Sequence, residues 1–223
     1  MIEILFHSAG VSPRYTEHAL PIIGLLAGLV SIFAFAPYVR DTLALRTQPQ
    51  RASWFIWSVL SSITLCSQIY EGATSSLWFV AIQAASTVFI FILSISRGTG
   101  SLLNASDACM LIAAGIGVLL WIMTDTTAYA LAIVIAVSSL GGVATIKKAY
   151  RDPGSETMST WVMSFCASAL AVLAVGEPSW VLLAYPVYLF VLYGVIVLAT
   201  KLGHTRKAEL GMAPIVWQQK VGF

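Results

Sequence analysis

Phe35-Ala36-Pro37-Tyr38-Val39-Arg40 closes one apolar run, and Arg46-Thr47-Gln48-Pro49-Gln50-Arg51-Ala52-Ser53-Trp54 leads into the next. At an offset of 107 residues and without a gap, Ala144-Thr145-Ile146-Lys147 opens a second basic loop that closes at Met158-Ser159-Thr160-Trp161. The register extends beyond the loops. Val30-Ser31 lies over Val137-Ser138, Ser53-Trp54 over Thr160-Trp161, and Ser61 over Ser168. Five residues then drop out of the following loop, after which Trp78 meets Trp180 and Gln83 meets Tyr185. Span order, loop charge and tryptophan placement agree with this echo, which marks a duplicated block.

The chain is 58% hydrophobic and only 10% charged, with mean hydropathy +0.86. Soluble domains carry about 25% charged residues, so an ordinary soluble fold is excluded. Crossing the hydrocarbon of a bilayer takes about 20 mostly apolar residues. Such stretches fall at 19–39, 53–71, 76–96, 106–124, 127–147, 157–176 and 179–200, and they leave no room for a separate soluble domain. The segment up to Tyr15 lacks a basic n-region followed by a long apolar run, so no cleavable signal peptide is expected. No basic patch with interleaved aromatics points to nucleic acid. Cys66, Cys109 and Cys166 show no pair spacing and have no nearby histidine; they read as small buried hydrophobes, with no disulfide framework, metal site or cofactor implied.

Lysine and arginine set the orientation of membrane segments. Arg40, Arg46 and Arg51 follow the first span, Arg97 the third, Lys147, Lys148 and Arg151 the fifth, and Lys201, Arg206, Lys207 and Lys220 the seventh. Only Arg14 falls on the other side, whose loops offer Glu71, Asp125 and Glu177. This bias predicts an N-terminus outside and a C-terminus in the cytoplasm. Asn104-Ala105-Ser106 matches a glycosylation sequon but falls on the cytoplasmic side, where it is a chance match.

The fold class expected is therefore all-α and integral to the membrane, with seven transmembrane helices arranged 3+1+3 as two parallel three-helix repeats. The boundaries are 18–98 for the first bundle, 104–126 for a linker helix, 127–203 for the second bundle and 204–223 for a cytoplasmic tail. A single linker helix lets the second block re-enter in the orientation of the first. Parallel repeats about an axis along the membrane normal are a known transporter plan.

At these residues the chain resembles the SWEET and PQ-loop superfamily, including its half-sized SemiSWEET members. Phe35 to Arg40 is similar to the family's Pro-Gln element near the end of the first helix, and Arg46 to Ser53 resembles the loop that starts the second. The resemblance covers about residues 19–200. It implies alternating access between two bundles, with Pro37 as a helix hinge in the first block and Gly141-Gly142 as its nearest counterpart. The family's Pro-Gln pair stands here as Pro37-Tyr38 and Ala144-Thr145. The resemblance also places the pocket Asn of the third helix at Gln83 and Tyr185, and the bulky residue of the second helix near Ser67 and Ala174.

No charged residue lies at mid-span, so a proton relay through a buried carboxylate is not expected. Lysine is missing from the middle of the seventh span, which argues against a retinal Schiff base. No catalytic constellation appears in the spans, so the chain does not read as an enzyme. The spans hold neutral polarity and aromatics instead. Gln83, Ser86 and Thr87 share one helical face, as do Tyr185 and Tyr188 beside Pro186. Ser61, Thr64, Ser67 and Gln68 form a polar stripe in the second span, with Ser164 and Ser168 a thinner one in the sixth. Amides, hydroxyls and flat apolar faces are what sugar recognition wants.

Gln83, Ser86, Thr87, Tyr185, Tyr188 and Ser67 are accordingly the candidate substrate contacts. Trp78, Trp180, Trp121, Trp54 and Trp161 are expected as interfacial anchors, and Gly24 with Gly28 as a packing pair. The partners expected are the lipid bilayer and a small neutral solute, and a homo-oligomer is left open. Two functions stand: a facilitator moving that solute in a bacterial inner membrane, or a fold of the same kind serving as receptor, sensor or assembly factor. A carrier implies a cavity between the blocks. The alternative implies a packed midplane with Gln83 held against helix neighbours.

Overall fold

The computed structural model describes residues 13–100, 105–124, 127–175 and 179–210. Asn104, Asp125, Glu177 and the chain beyond Leu210 lie outside these residues, as do the side chains of Arg14, His18, Asp107 and Trp121. The described chain is helical: α1 (Pro13–Leu43), α2 (Arg51–Tyr70), α3 (Leu77–Arg97), α4 (Ala105–Ile122), α5 (Thr127–Arg151), α6 (Met158–Ala174) and α7 (Trp180–Glu209). A short 3₁₀ turn, Pro153–Ser155, joins α5 to α6.

Many of these segments are rich in Val, Ile, Phe and Trp, which are indifferent helix formers in water. In hydrocarbon the choice is forced, because every backbone N–H and C=O must find its partner within the protein. Among the described residues, five helices are long and apolar enough to cross a membrane: Ala19–Leu43 within α1, α2, α3, Leu131–Arg151 within α5, and α7. The side chains are sorted in the sense a bilayer demands. Ile22, Leu25, Leu29, Ile32 and Phe33 of α1 point outward, whereas Ser31, Ser61, Thr64, Gln83, Thr87, Ser138 and Ser168 are buried. The cysteines depart from expectation: Cys66, Cys109 and Cys166 are all exposed on the outer surface. An apolar thiol gains nothing from burial where the surroundings are themselves apolar.

The packing order is simple. α3 lies against both α1 and α2, and α7 against both α5 and α6. α1 also packs on α6, and α5 on α2, while α4 rests on α5 and touches α2. Gly24 of α1 is needed for close approach, because a Cβ there would run into the Ser75 carbonyl of the α2–α3 loop. Gly28 lies against Ile82 and Trp78 of α3, so both members of this glycine pair serve helix packing.

The helices are continuous through the expected hinges. Pro37 and also Pro21 lie inside α1, and α5 runs unbroken through Gly141 and Gly142. A Cβ on Gly141 would sit 3.2 Å from the Trp57 indole nitrogen, and one on Gly142 would sit 2.7 Å from Leu192. These glycines make room for neighbours. At the C-terminal side, α7 continues to Glu209, past the tail boundary expected at 203/204.

The ends of α1, α3, α5 and α7 gather at one end of the bundle, which carries the basic residues. Arg97 donates to the Leu43 carbonyl and Arg51 to the Ser94 carbonyl, while Lys207 pairs with Asp152 at 2.9 Å.

Candidate functional site

Following the inner face of α2 from the basic end, Trp54, Trp57, Ser61, Thr64 and Gln68 recur at helical spacing, and all are buried. The matching face of α6 presents Thr160, Trp161, Ser164, Ala167, Ser168 and Ala171. Between these faces, and walled by α3 and α7, lies a cavity. Phe35, Trp54, Trp57, Gln83, Thr87, Ser138, Thr160, Trp161, Ser164, Tyr185, Leu189, Leu192 and Tyr193 line it. Six helices contribute. Among the described residues the lining has no charged side chain, only hydroxyls, an amide and aromatic or aliphatic walls.

The polar groups are largely satisfied by one another. The Gln83 amide donates to the Tyr193 hydroxyl at 2.5 Å, joining α3 to α7. Ser61 and Thr87 share a hydrogen bond of 2.7 Å, and Tyr188 donates to Ser138 at 2.9 Å. The Trp57 indole donates to the Ser138 carbonyl at 3.2 Å. Among the described residues, the buried groups without such a partner include the Thr160 hydroxyl, which lines the cavity, and the Gln68 amide nearer the other end of α2. Leaving a buried polar group unpaired is costly. The cavity itself is small, about 20 Å³, which is room for about one water molecule.

Of the residues expected from sequence, Gln83, Thr87 and Tyr185 line the cavity. Tyr188 stands just behind the wall, its ring 6.2 Å from that of Tyr185 and its hydroxyl on the lining residue Ser138. Ser86 and Ser67 are half-buried and do not reach it.

The aromatic residues require a correction. Trp78 and Trp180 are exposed, as anchors would be, but Trp54 and Trp161 are 4% and 2% exposed. Neither is an interfacial anchor. They join Tyr38, Trp57 and Tyr193 in a continuous edge-on and tilted cluster, with Trp54 5.1 Å from Tyr38 and Trp161 5.8 Å from Tyr193. Position along a helix is legible from a hydropathy profile, but the direction in which a ring points around the helix is not. Tyr193 was missed altogether, although it lies two turns from Tyr185 and therefore on the same face.

On the basic side of the cavity the two halves of the chain are laced together. Thr157 donates to Asp41 at 3.1 Å, so the 2.6 Å contact between Thr47 and Thr157 must use the Thr47 proton. Lys148 donates to the Gln48 carbonyl at 2.6 Å and forms an ion pair with Glu156 at 3.0 Å. The second oxygen of Glu156 accepts from the Trp161 indole at 3.0 Å.

Compared with family models, with curated proteins and with solved structures, the chain gives no match.

Proposed function

We propose that the protein is a membrane carrier that moves a small neutral solute, with sugars the first class to try, by alternating access between two three-helix bundles. In this reading all seven helices cross the bilayer as 3+1+3, with the basic end in the cytoplasm and the N-terminus outside. A bacterial plasma membrane is the membrane proposed.

The pairing of helices supports the arrangement. Exchanging α1, α2 and α3 for α5, α6 and α7 leaves the principal contacts unchanged: α1–α3 becomes α5–α7, α2–α3 becomes α6–α7, and α1–α6 becomes α5–α2. α4 stands outside this exchange, as a linker would. The observation that carries the function is the cavity on the seam, lined from both triples by neutral polar and aromatic groups and holding an unpaired buried hydroxyl at Thr160. Charge-free hydrogen-bonding groups between flat rings suit an uncharged, hydroxyl-bearing solute better than an ion. A solute larger than water would enter only after the triples part, so the structure corresponds to the closed state of such a cycle.

One observation favours the second reading, a receptor, sensor or assembly factor. Gln83 is 4% exposed and tied to Tyr193, and the cavity of about 20 Å³ leaves the midplane nearly packed. Reconstitution separates the two. A carrier in liposomes equilibrates at least one labelled compound from a panel of sugars and neutral amino acids, and Gln83→Ala or Tyr185→Ala abolishes that flux in folded protein. A panel giving neither flux nor thermal stabilisation removes the carrier reading.

A further inference from the structure

We infer that Glu156 is a positioning residue that ties the wall of the cavity to the seal at the basic end, so that the two open together. The inference rests on the carrier reading and adds a specific coupling element to it.

Glu156 sits in the approach to α6 with its side chain 2% exposed, an expensive place for a carboxylate unless both oxygens are used. Both are. Oε2 accepts from the indole N–H of Trp161, which lines the cavity, and Oε1 takes the Lys148 ammonium. Lys148 in turn donates to the Gln48 carbonyl, in the other half of the chain. A single uninterrupted path therefore runs from a ring facing the cavity, through one carboxylate, to a bond across the seam. The next residue, Thr157, makes the second crossing through Thr47 and Asp41. Any shift of the Trp161 ring to admit a solute pulls on Glu156, and loss of the Glu156 bonds frees the ring.

Indole and ammonium make different demands on the carboxylate, which gives the test its resolution. Trp161→Phe keeps an aromatic ring but deletes the N–H together with the pyrrole half of the indole. The void this leaves would raise labelling from both sides alike, whereas loss of the Glu156 bond raises it from the basic side alone. Glu156→Gln can still accept from the indole but loses its charge. Glu156→Ala loses both.

The readout is access to the cavity from the basic side, which needs no solute. In protein with Cys66, Cys109 and Cys166 changed to Ser, a reporter Ser164→Cys faces the cavity. Its reaction with a small membrane-impermeant thiol reagent is followed in vesicles of each orientation. Because hydrogen bonds to charged groups are the strong ones, Glu156→Ala should raise labelling from the basic side about tenfold or more. Trp161→Phe alone should raise it by a comparable factor, and combining the two should add little, since both break the same path.

Labelling from the opposite side should stay at the parent rate, which shows that the variants remain folded. If Glu156→Ala does not fold, the Trp161→Phe variant, which keeps an aromatic ring at the position, carries the test. The inference is overturned if Trp161→Phe labels at the parent rate, or if the two substitutions act additively. Should labelling respond as stated while no solute ever moves, the coupling stands and the carrier reading fails.

Discussion

Asp41 and Lys148 hold matching places in the two basic loops, 107 residues apart, yet carry opposite charge. Each lies near the end of the first helix of its triple, and each reaches across the seam to the chain just before the second helix of the other triple. Asp41 accepts there from the Thr157 hydroxyl, and Lys148 donates to the Gln48 carbonyl. Their task is the same and their chemistry differs. In a symmetric dimer of identical half-chains one residue type would occupy both places, since an isologous interface repeats every contact. A single chain is free of that constraint. Lys148 has Glu156 as a buried partner, and through it a hold on Trp161, while Asp41 has the exposed Arg40 as its ion-pair partner at 3.1 Å.

Lys148 should be the more sensitive of the two positions. Lys148→Glu would set a second carboxylate against one that is 2% exposed, and should cost about 3 kcal/mol or more in detergent-monitored stability. If it proves no worse than a change at Asp41, the two crossings are equivalent and the asymmetry is one of sequence only.

Gln83→Leu comes next. It strips the Tyr193 hydroxyl of its partner across α3 and α7, so a loss of about 1–2 kcal/mol is expected together with loss of any solute-induced stabilisation. A melting temperature unchanged from the parent would show that the bond carries no weight. Tyr188→Phe removes a single hydroxyl bond to Ser138 within the second triple, and should cost about 0.6 kcal/mol, the usual worth of a hydrogen bond between membrane helices. Smallest is Asp41→Asn, whose amide oxygen still accepts from Thr157; its melting curve should lie within about 0.5 kcal/mol of the parent.

How far the sequence led varies with the kind of information needed. Helix positions follow from hydropathy, and the gathering of basic residues at one end from their loops. The echo itself was legible because Ser53-Trp54 and Thr160-Trp161 keep their spacing from the loops that precede them. Gln83, Thr87 and Tyr185 were found because an amide, a hydroxyl and a phenol are conspicuous in apolar helices.

Contacts between the two copies were not legible. Lys148 looked like one of many topology-setting cations, and Glu156 drew no reading at all, because nothing in a linear pattern says which loop meets which. Trp54 and Trp161 were misassigned for a related reason: both lie near a helix start, where tryptophan commonly anchors to headgroups, and only the packing of α1 on α6 and α5 on α2 turns them inward. Ser138 and Thr160 stood in the repeat as matches to Ser31 and Ser53, and that match could have marked them as candidates.

In the proposed carrier the two triples must part at the basic end for a solute to cross. Thr47 and Thr157 face each other there with oxygens 2.6 Å apart, so Thr47→Cys with Thr157→Cys, in protein lacking its own cysteines, offers a reversible lock. The measurement is flux of a solute that the parent protein carries in liposomes, before and after oxidation and again after reduction. Flux that stops when the pair is oxidised and returns when it is reduced is the predicted result; undiminished flux through fully cross-linked protein would contradict the account.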